Sequence, residues 1–253
     1  MRFTSLGSGS SGNGLVVECG TTRVLMDCGF SVAETKLRLE RVGLAPSQLA
    51  GVLVTHEHDD HMGGVAKLCK RHAIPVYLTR GAAQWLPPDF PAVLVRLIDS
   101  HTVFSVGDVE VQPFTVPHDA REPVQYAFSD GDARLGVATD LGCITQHVVD
   151  MLSRCTSLVV ECNHDLDMLM EGPYPASLKH RVAGRFGHLD NGCAKSLVEA
   201  VDRSRLRHLI AAHLSKQNNK PELAVEALSA GATCERDWIG VATQEEGFAW
   251  RDA

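Results

Sequence analysis

The residues best suited to chemistry stand together. The hexad His56-Glu57-His58-Asp59-Asp60-His61 follows directly on the largely apolar run Val52-Leu53-Val54-Thr55. Imidazole nitrogen and carboxylate oxygen are ligands for zinc, manganese or iron. His56 and His58 are two apart, so on extended backbone both rings leave the same side. Asp60 and His61 fall where a helix is expected to begin and turn toward a second point nearby. One short loop then offers two ligands to each of two cations. A solvated acidic loop that happens to carry histidines is the plainer alternative. Three histidines and two aspartates in six residues, at the end of a buried strand, are hard to obtain from surface composition.

Two cations need more donors than this loop holds. Others stand at the ends of further apolar runs: His118 after Val109–Thr115, Asp140 closing Leu135–Thr139, His213 after Leu209–Ala212 and Asp27 after Arg23–Met26. Singly, each could be a turn residue or a satisfied core histidine. Their repeated placement is what a site shared along one edge of a sheet requires. Asp27 is either a ligand or a group that orients one by hydrogen bonding.

The elements that must position these groups can be read from periodicity. Strands are expected at Arg2–Leu6, Leu15–Glu18, Arg23–Met26, Val52–Thr55, Val76–Thr79, Val109–Thr115, Gln125–Phe128, Leu135–Thr139, Leu158–Val160 and Leu209–Ala212, with a further pair near Thr233–Glu235 and Phe248–Trp250. Helices are expected at Val32–Arg41, Met62–Arg71, Gln146–Ser153, Ala176–Arg185, Ala194–Asp202 and Glu222–Ala230, the last capped by Asn219 with Pro221 in its first turn. No repeat or linker interrupts the pattern, so one layered α/β (α+β) domain over residues 1–253 is expected. Gly7-Ser8-Gly9-Ser10-Ser11-Gly12 reads formally as a dinucleotide fingerprint, but that motif must open a helix, and Leu15-Val16-Val17-Glu18 reads as a strand. A tight turn remains, whose amides and hydroxyls could face a substrate phosphate.

Composition narrows the class. Apolar residues make up 44% of the 253, enough for a sizeable core. No run approaches the roughly 18–20 apolar residues of a membrane span, and the first residues lack the basic start and apolar stretch of a signal peptide, so a cytoplasmic protein without a membrane partner is expected. None of the eight cysteines forms a Cys-x-x-Cys pair, which argues for buried free thiols over a zinc knuckle. The net charge of −7 excludes a globally basic nucleic-acid binder. Ser177–Lys220 nevertheless holds nine Lys or Arg against three acids, an asymmetry that can mark the side meeting an anion.

The joint pattern resembles the metallo-β-lactamase superfamily, whose His-x-His-x-Asp-His motif matches His56, His58, Asp60 and His61. Its remaining motifs match in order at Asp27, His118, Asp140 and His213, so the resemblance spans nearly the whole chain. It implies a four-layer αββα sandwich with two divalent metal ions, zinc foremost and manganese or iron as alternatives, at one edge between two sheets. His56, His58 and His118 would bind one ion, Asp60, His61 and His213 the other. Asp140 would bridge, and Asp27 would support them. Ser5 to Asn13, Glu161 to Asp165, Gly187 to Asn191 and His213 to Asn219 resemble the YycJ (WalJ) group, related to the tRNase Z and PhnP phosphodiesterases and linked to exonuclease activity on DNA. Asp190 departs from the serine expected after His188-Leu189.

The resemblance therefore implies a phosphodiesterase, with nucleic acid or another phosphodiester as substrate. In that reading Asp60 serves both metal and reaction, and His188 protonates the leaving oxygen, polarised by Glu161. His164 is either catalytic or an ordinary loop histidine. Ser8, Ser10, Ser11, Asn13 and Lys216 are candidate phosphate contacts. The competing readings are a thioester, lactone or β-lactam hydrolase and a non-hydrolytic metal protein, either an iron redox centre or a structural site. The aspartate at Asp140, the histidine at His58 and the presence of His188 weigh against them. The short interval from His118 to Asp140 leaves no room for the protruding arm with which tRNA-processing relatives hold their substrate.

Overall fold

Strand β2 (Gly14–Cys19) shows how the sequence builds its layers. Leu15 and Val17 point to one face and join a cluster with Phe3, Met26, Tyr126, Phe128 and Leu135. Val16 points to the other, against Leu39, Leu68 and Cys69. A strand buried on both faces needs a sheet on one side and helices on the other. Applied along the chain, this gives the architecture of the computed structural model, which describes residues 1–253.

One seven-stranded sheet runs in the order β14 (Phe248–Asp252), β1 (Arg2–Gly7), β2, β3 (Thr22–Met26), β4 (Gly51–Leu53), β5 (Val76–Leu78), β6 (Val95–Leu97). The other runs β13 (Ile239–Val241), β12 (His208–Ala212), β11 (Ser157–Glu161), β10 (Arg134–Ala138), β9 (Val124–Ser129), β8 (Val109–Thr115), β7 (Phe104–Val106). Their inner faces share one core. Helices α1 (Val32–Arg41) and α3 (Val65–His72) cover the first sheet, through Leu39, Val65 and Leu68. Helices α5 (Gln146–Leu152), α8 (Asn191–Ala200) and α9 (Pro221–Ala232) cover the second, through Val148, Leu152, Leu197, Val198 and Leu228. This is the expected αββα sandwich. No helix is long and apolar enough to cross a membrane.

Several expected elements are displaced, each for a local reason. The helix expected over Met62–Arg71 is two: α2 (Asp59–Met62) and α3, parted at Gly63-Gly64. A Cβ on Gly64 would lie 1.9 Å from the carbonyl oxygen of Phe30, so only glycine lets the chain pass there. Thr233–Glu235 is not a strand, because Thr233 takes a left-handed φ of 57° that closes α9; the edge strand is β13. Helix α9 is capped at Lys220, while Asn219 is drawn inward to bond Asn191 and the Cys162 carbonyl. Helix α7 (Ala176–Val182) stops before Arg185. Helix α8 begins at Asn191, with the Asp190 carboxylate accepting from the Cys193 amide at 2.9 Å. Asp and Ser are equivalent in that capping role, which accounts for the departure at Asp190. Strands β6 and β7 and the short helices α4 (Arg80–Ala83) and α6 (Leu166–Glu171) were not anticipated.

Tyr126, fully buried on β9, donates its hydroxyl to the Val54 carbonyl at 2.7 Å, just before the metal-ligand hexad. Replacing it with phenylalanine leaves that carbonyl without its donor. Tyr126→Phe is expected to lower unfolding free energy by about 1–3 kcal/mol, read as a lower urea midpoint at unchanged slope.

Candidate metal centre

The expected ligands arrive from both sheets at one edge. Asp27 follows β3, the hexad follows β4, His118 follows β8, Asp140 follows β10, and His213 follows β12. Asp27, Asp140 and His213 each leave their strand in the left-handed conformation, at φ of 60°, 55° and 56°. Asp and His are among the few residues besides glycine and asparagine that tolerate it. The turn swings each side chain back across the strand ends. The Asp27 turn and the hexad are also pressed together. The Cys28 amide donates to the His61 carbonyl at 2.7 Å and the Gly64 amide to the Cys28 carbonyl at 2.8 Å. A Cβ on Gly29 would sit 1.9 Å from the Asp60 carbonyl oxygen.

Three nitrogens form one ligand set. His56 Nε2 lies 3.0 Å from His58 Nδ1, which lies 3.3 Å from His118 Nε2. The outer partners fix which nitrogens carry hydrogen. Thr55 Oγ1 donates to Asp27 Oδ2, so it accepts from His56 Nδ1, both at 2.9 Å. His118 Nδ1 donates to the Gly187 carbonyl at 3.0 Å. The inward nitrogens of His56 and His118 thus carry lone pairs, and both face His58 Nδ1. A tetrahedral cation with bonds of about 2.0–2.1 Å separates its ligand nitrogens by roughly 3.3 Å, the spacing seen here.

The second set is Asp60, His61 and His213. His61 Nδ1 donates to Asp27 Oδ2 at 2.8 Å. Its Nε2 faces Asp60 Oδ2 at 3.4 Å and Asp140 Oδ2 at 3.0 Å. His213 Nε2 faces Asp60 Oδ2 at 3.4 Å. Asp140 lies between the sets, with Oδ1 4.0 Å from His118 Nε2. Its Oδ2 is buried and has no hydrogen-bond donor. A buried carboxylate oxygen without a donor is costly unless a cation meets it. The residues present therefore fit two divalent cations.

Glu161, fully buried at the end of β11, organises the rest. Its Oε1 accepts from the Asp140 amide at 3.0 Å and from Nδ1 of both His188 and His213 at 2.9 Å. Its Oε2 accepts from the amides of Leu141 and Leu189, each at 2.9 Å. Burial raises the Glu161 carboxyl, but the neighbouring His188 and His213 outweigh it and hold the group at about 2. Burial lowers His213, yet Asp140, Asp60 and Glu161 carry it up to about 10. Burial likewise lowers His188, and Glu161 more than restores it, leaving the ring above the usual histidine range. Burial and the neighbouring His61 push His56 well below that range.

A cleft of about 330 Å³ opens onto this centre. It is lined by Ser10, His58, Asp60, Asp140, Arg181, His188 and His213 among others. With Nδ1 bound to Glu161, His188 has Nε2 left for a substrate. The other expected contacts lie elsewhere. Ser8 Oγ accepts from the His213 amide at 2.9 Å and bonds Asn13 Oδ1 at 3.2 Å. Asn13 Nδ2 leans on Asp60 Oδ2 and His61 Nε2, at 3.3 and 3.1 Å. Both therefore brace the ligands. The amides of Ser8, Gly9, Ser11 and Gly12 are bound internally, so of the glycine-serine turn only Ser10 lines the cleft. Lys216 pairs with Glu245 at 2.7 Å beside a neighbouring pocket. His164 is buried, touches Asn163 Oδ1 at 3.3 Å and does not line the cleft. The basic segment is not one patch: Arg203, Arg205 and Arg207 precede β12, at the end of the strand opposite His213. Nothing local marks Thr55 or Gly29, whose roles depend on contacts between distant segments, whereas Arg181 is one of the nine bases of Ser177–Lys220 and does reach the cleft.

Glu161→Gln places an amide among donors. It is expected to cost about 3–5 kcal/mol in unfolding free energy and to lower bound metal, read by denaturant melts and elemental analysis. Chelation of the wild-type protein is expected to lower Tm by about 5–10 °C, from roughly 2.7 kcal/mol of linkage at a hundredfold excess over Kd and 2–4 °C per kcal/mol for a chain of this size, with recovery on adding zinc.

The profile of the beta-lactamase superfamily domain matches residues 22–214. The exodeoxyribonuclease YycJ of Bacillus anthracis is 34% identical over 244 residues, covering 95% of this chain and 92% of that protein. The exodeoxyribonuclease WalJ of Streptococcus pneumoniae is 30% identical over 230 residues, covering 88% and 85%. The solved structure of Zn(2+)-bound PqqB from Methylobacterium extorquens superposes with a TM-score of 0.76 at 17% identity, over 100% of both chains. With the strand-end ligands, the two facing sheets and these similarities together, the chain belongs to the metallo-β-lactamase superfamily, in the branch of YycJ and WalJ.

Proposed function

We propose that the chain is a binuclear metal-dependent phosphodiesterase that cleaves nucleic acid, in the manner of an exonuclease. The observation that carries this reading is His188, held by Glu161 and lining the cleft beside the ligand sets. Hydrolysis of a phosphodiester needs a nucleophile made from water and a proton for the departing oxygen. Two divalent cations would stabilise charge on the phosphoryl oxygens and make water more acidic. His56, His58 and His118 would hold one, Asp60, His61 and His213 the other, and Asp140 lies where it would serve both. Asp27 and Thr55 fix the imidazole orientations. His188 delivers its proton from Nε2, and Glu161 keeps the ring charged and aimed. Ser10 and Arg181, at the cleft wall, are placed to meet phosphate oxygens.

Zinc is the cation we assign, because three imidazoles at tetrahedral spacing suit it best; manganese and iron accept the same donors. Both sheets feed one centre, so residues 1–253 act as one domain. All eight cysteines are free, as a reducing compartment favours, which supports a cytoplasmic place. The names of YycJ and WalJ support DNA as the substrate.

The test is cleavage of 5′- and 3′-labelled single- and double-stranded DNA and RNA, with thioester and lactone substrates in parallel. Carbonyl-ester hydrolysis without nucleic-acid cleavage would overturn the reading. His188→Ala is expected to keep both metals but lose about 10²–10⁴-fold in kcat. Asp60→Ala is expected to lose metal and activity together. Unchanged turnover in His188→Ala would remove its assigned role.

A further inference from the structure

Helix α7 and the strap after it make one wall of the cleft. Leu178, Arg181, Val182, Gly187 and His188 all line it. Between them, Phe186 holds its ring in solvent at 61% exposure, and it belongs to none of the three apolar cores. Its backbone, by contrast, is tightly fixed. The Phe186 carbonyl accepts from the Asp119 amide at 3.0 Å, and the next amide, of Gly187, donates to the Gly184 carbonyl at 2.9 Å. The Gly187 carbonyl is the one that orients the ligand His118. A Cβ on Gly142 would lie 2.6 Å from the Phe186 Cα and 2.4 Å from the Arg185 carbonyl oxygen, so the strap is seated against the Asp140 turn. An exposed aromatic on a loose loop would be unremarked. One clamped to the backbone that orients His118 and packs against the turn after Asp140 has a defined position relative to the centre.

Arg181 is the second element. Its Nε bonds Asp119 Oδ2 at 2.6 Å, and its two terminal nitrogens make no hydrogen bond. The side chain is 62% exposed and reaches the cleft. From Ala176 to Phe186 the chain carries Lys179, Arg181 and Arg185 and no acid. Asp119 ties the two residues together, its amide on the Phe186 carbonyl and its carboxylate on Arg181 Nε. An exposed aromatic ring on a clamped backbone, near a guanidinium with free donors, is the pairing by which proteins hold single-stranded nucleic acid: the ring stacks on a base and the cation meets a phosphate.

We propose that Phe186 and Arg181 form a subsite for the nucleotide adjoining the scissile bond, with its base stacked on Phe186 and its flanking phosphate on Arg181. This rests on the nuclease reading above and adds to it a preference for an unpaired, base-bearing strand end. Phe186 is a positioning residue, since it acts on the adjoining base and not on the reacting atoms.

The test compares single-stranded oligonucleotides that carry either a normal base or an abasic residue at the position next to the labelled bond, using the metal-loaded full chain. Phe186→Ala is expected to cut kcat/KM on the base-bearing strand about tenfold, with the loss absent on the abasic strand and restored by Phe186→Trp. Arg181→Ala is expected to lower the slope of log(kcat/KM) against log[salt] by about 0.7, one phosphate contact on a single strand. A 2-aminopurine at the same position, followed by stopped flow before turnover, is expected to be quenched by the wild-type protein and by Phe186→Trp but not by Phe186→Ala. Equal losses on both strands, or unaltered quenching in Phe186→Ala, would overturn the subsite while leaving the nuclease reading intact. Absence of any oligonucleotide cleavage by the wild-type protein would instead overturn the nuclease reading.

Discussion

A carboxylate with no exposed surface must find a donor for each of its lone pairs, and the arrangement of the site follows from how Glu161 does so. Its five donors come from three turns that follow different strands or helices: Asp140-Leu141, His188-Leu189 and His213. Each turn carries a group the centre uses. A single desolvated anion thus sets the positions of Asp140, of the His213 imidazole and of the His188 ring. Low dielectric makes such a node strong when satisfied and costly when not. Its position at the end of a central strand, flanked by β10 and β12, keeps water out.

The first sheet solves the same problem with Asp27. Its two oxygens take the Thr55 amide, the Thr55 hydroxyl and His61 Nδ1. Thr55 in turn fixes His56. Each half of the sandwich therefore has its own buried carboxylate behind its own candidate ligands, and the two ligand sets lie where the halves meet. A metal pair held at that seam would crosslink the sheets as well as serve a reaction.

Much of this was legible before any coordinates. The hexad, the strand-end positions of His118, Asp140 and His213, and the alternation of the central strands all rest on local pattern, and local pattern survives folding. What was not legible depends on contacts between distant segments. Nothing in the sequence near Gly64 says that the Phe30 carbonyl passes beside it, so one helix was expected where there are two. Ser8 and Asn13 looked like phosphate contacts because short polar residues in a glycine turn often are. The fold instead spends them on His213 and Asp60. Lys216 and the arginines before β12 belong to a basic stretch of sequence that the fold disperses in space, since β12 carries one end of the segment to the site and the other away from it.

The left-handed turns at Asp27, Asp140 and His213 restrict what evolution can try at those places. Branched side chains are disfavoured by the backbone before ligation is considered, and glycine or asparagine, which the backbone would accept, supply no anionic or imidazole ligand. Chain geometry and coordination chemistry independently favour the same few amino acids. A lineage drifting away from metal-dependent catalysis would therefore find glycine and asparagine the easiest replacements at these three strand ends, and any bulkier substitute would require the turns to be rebuilt.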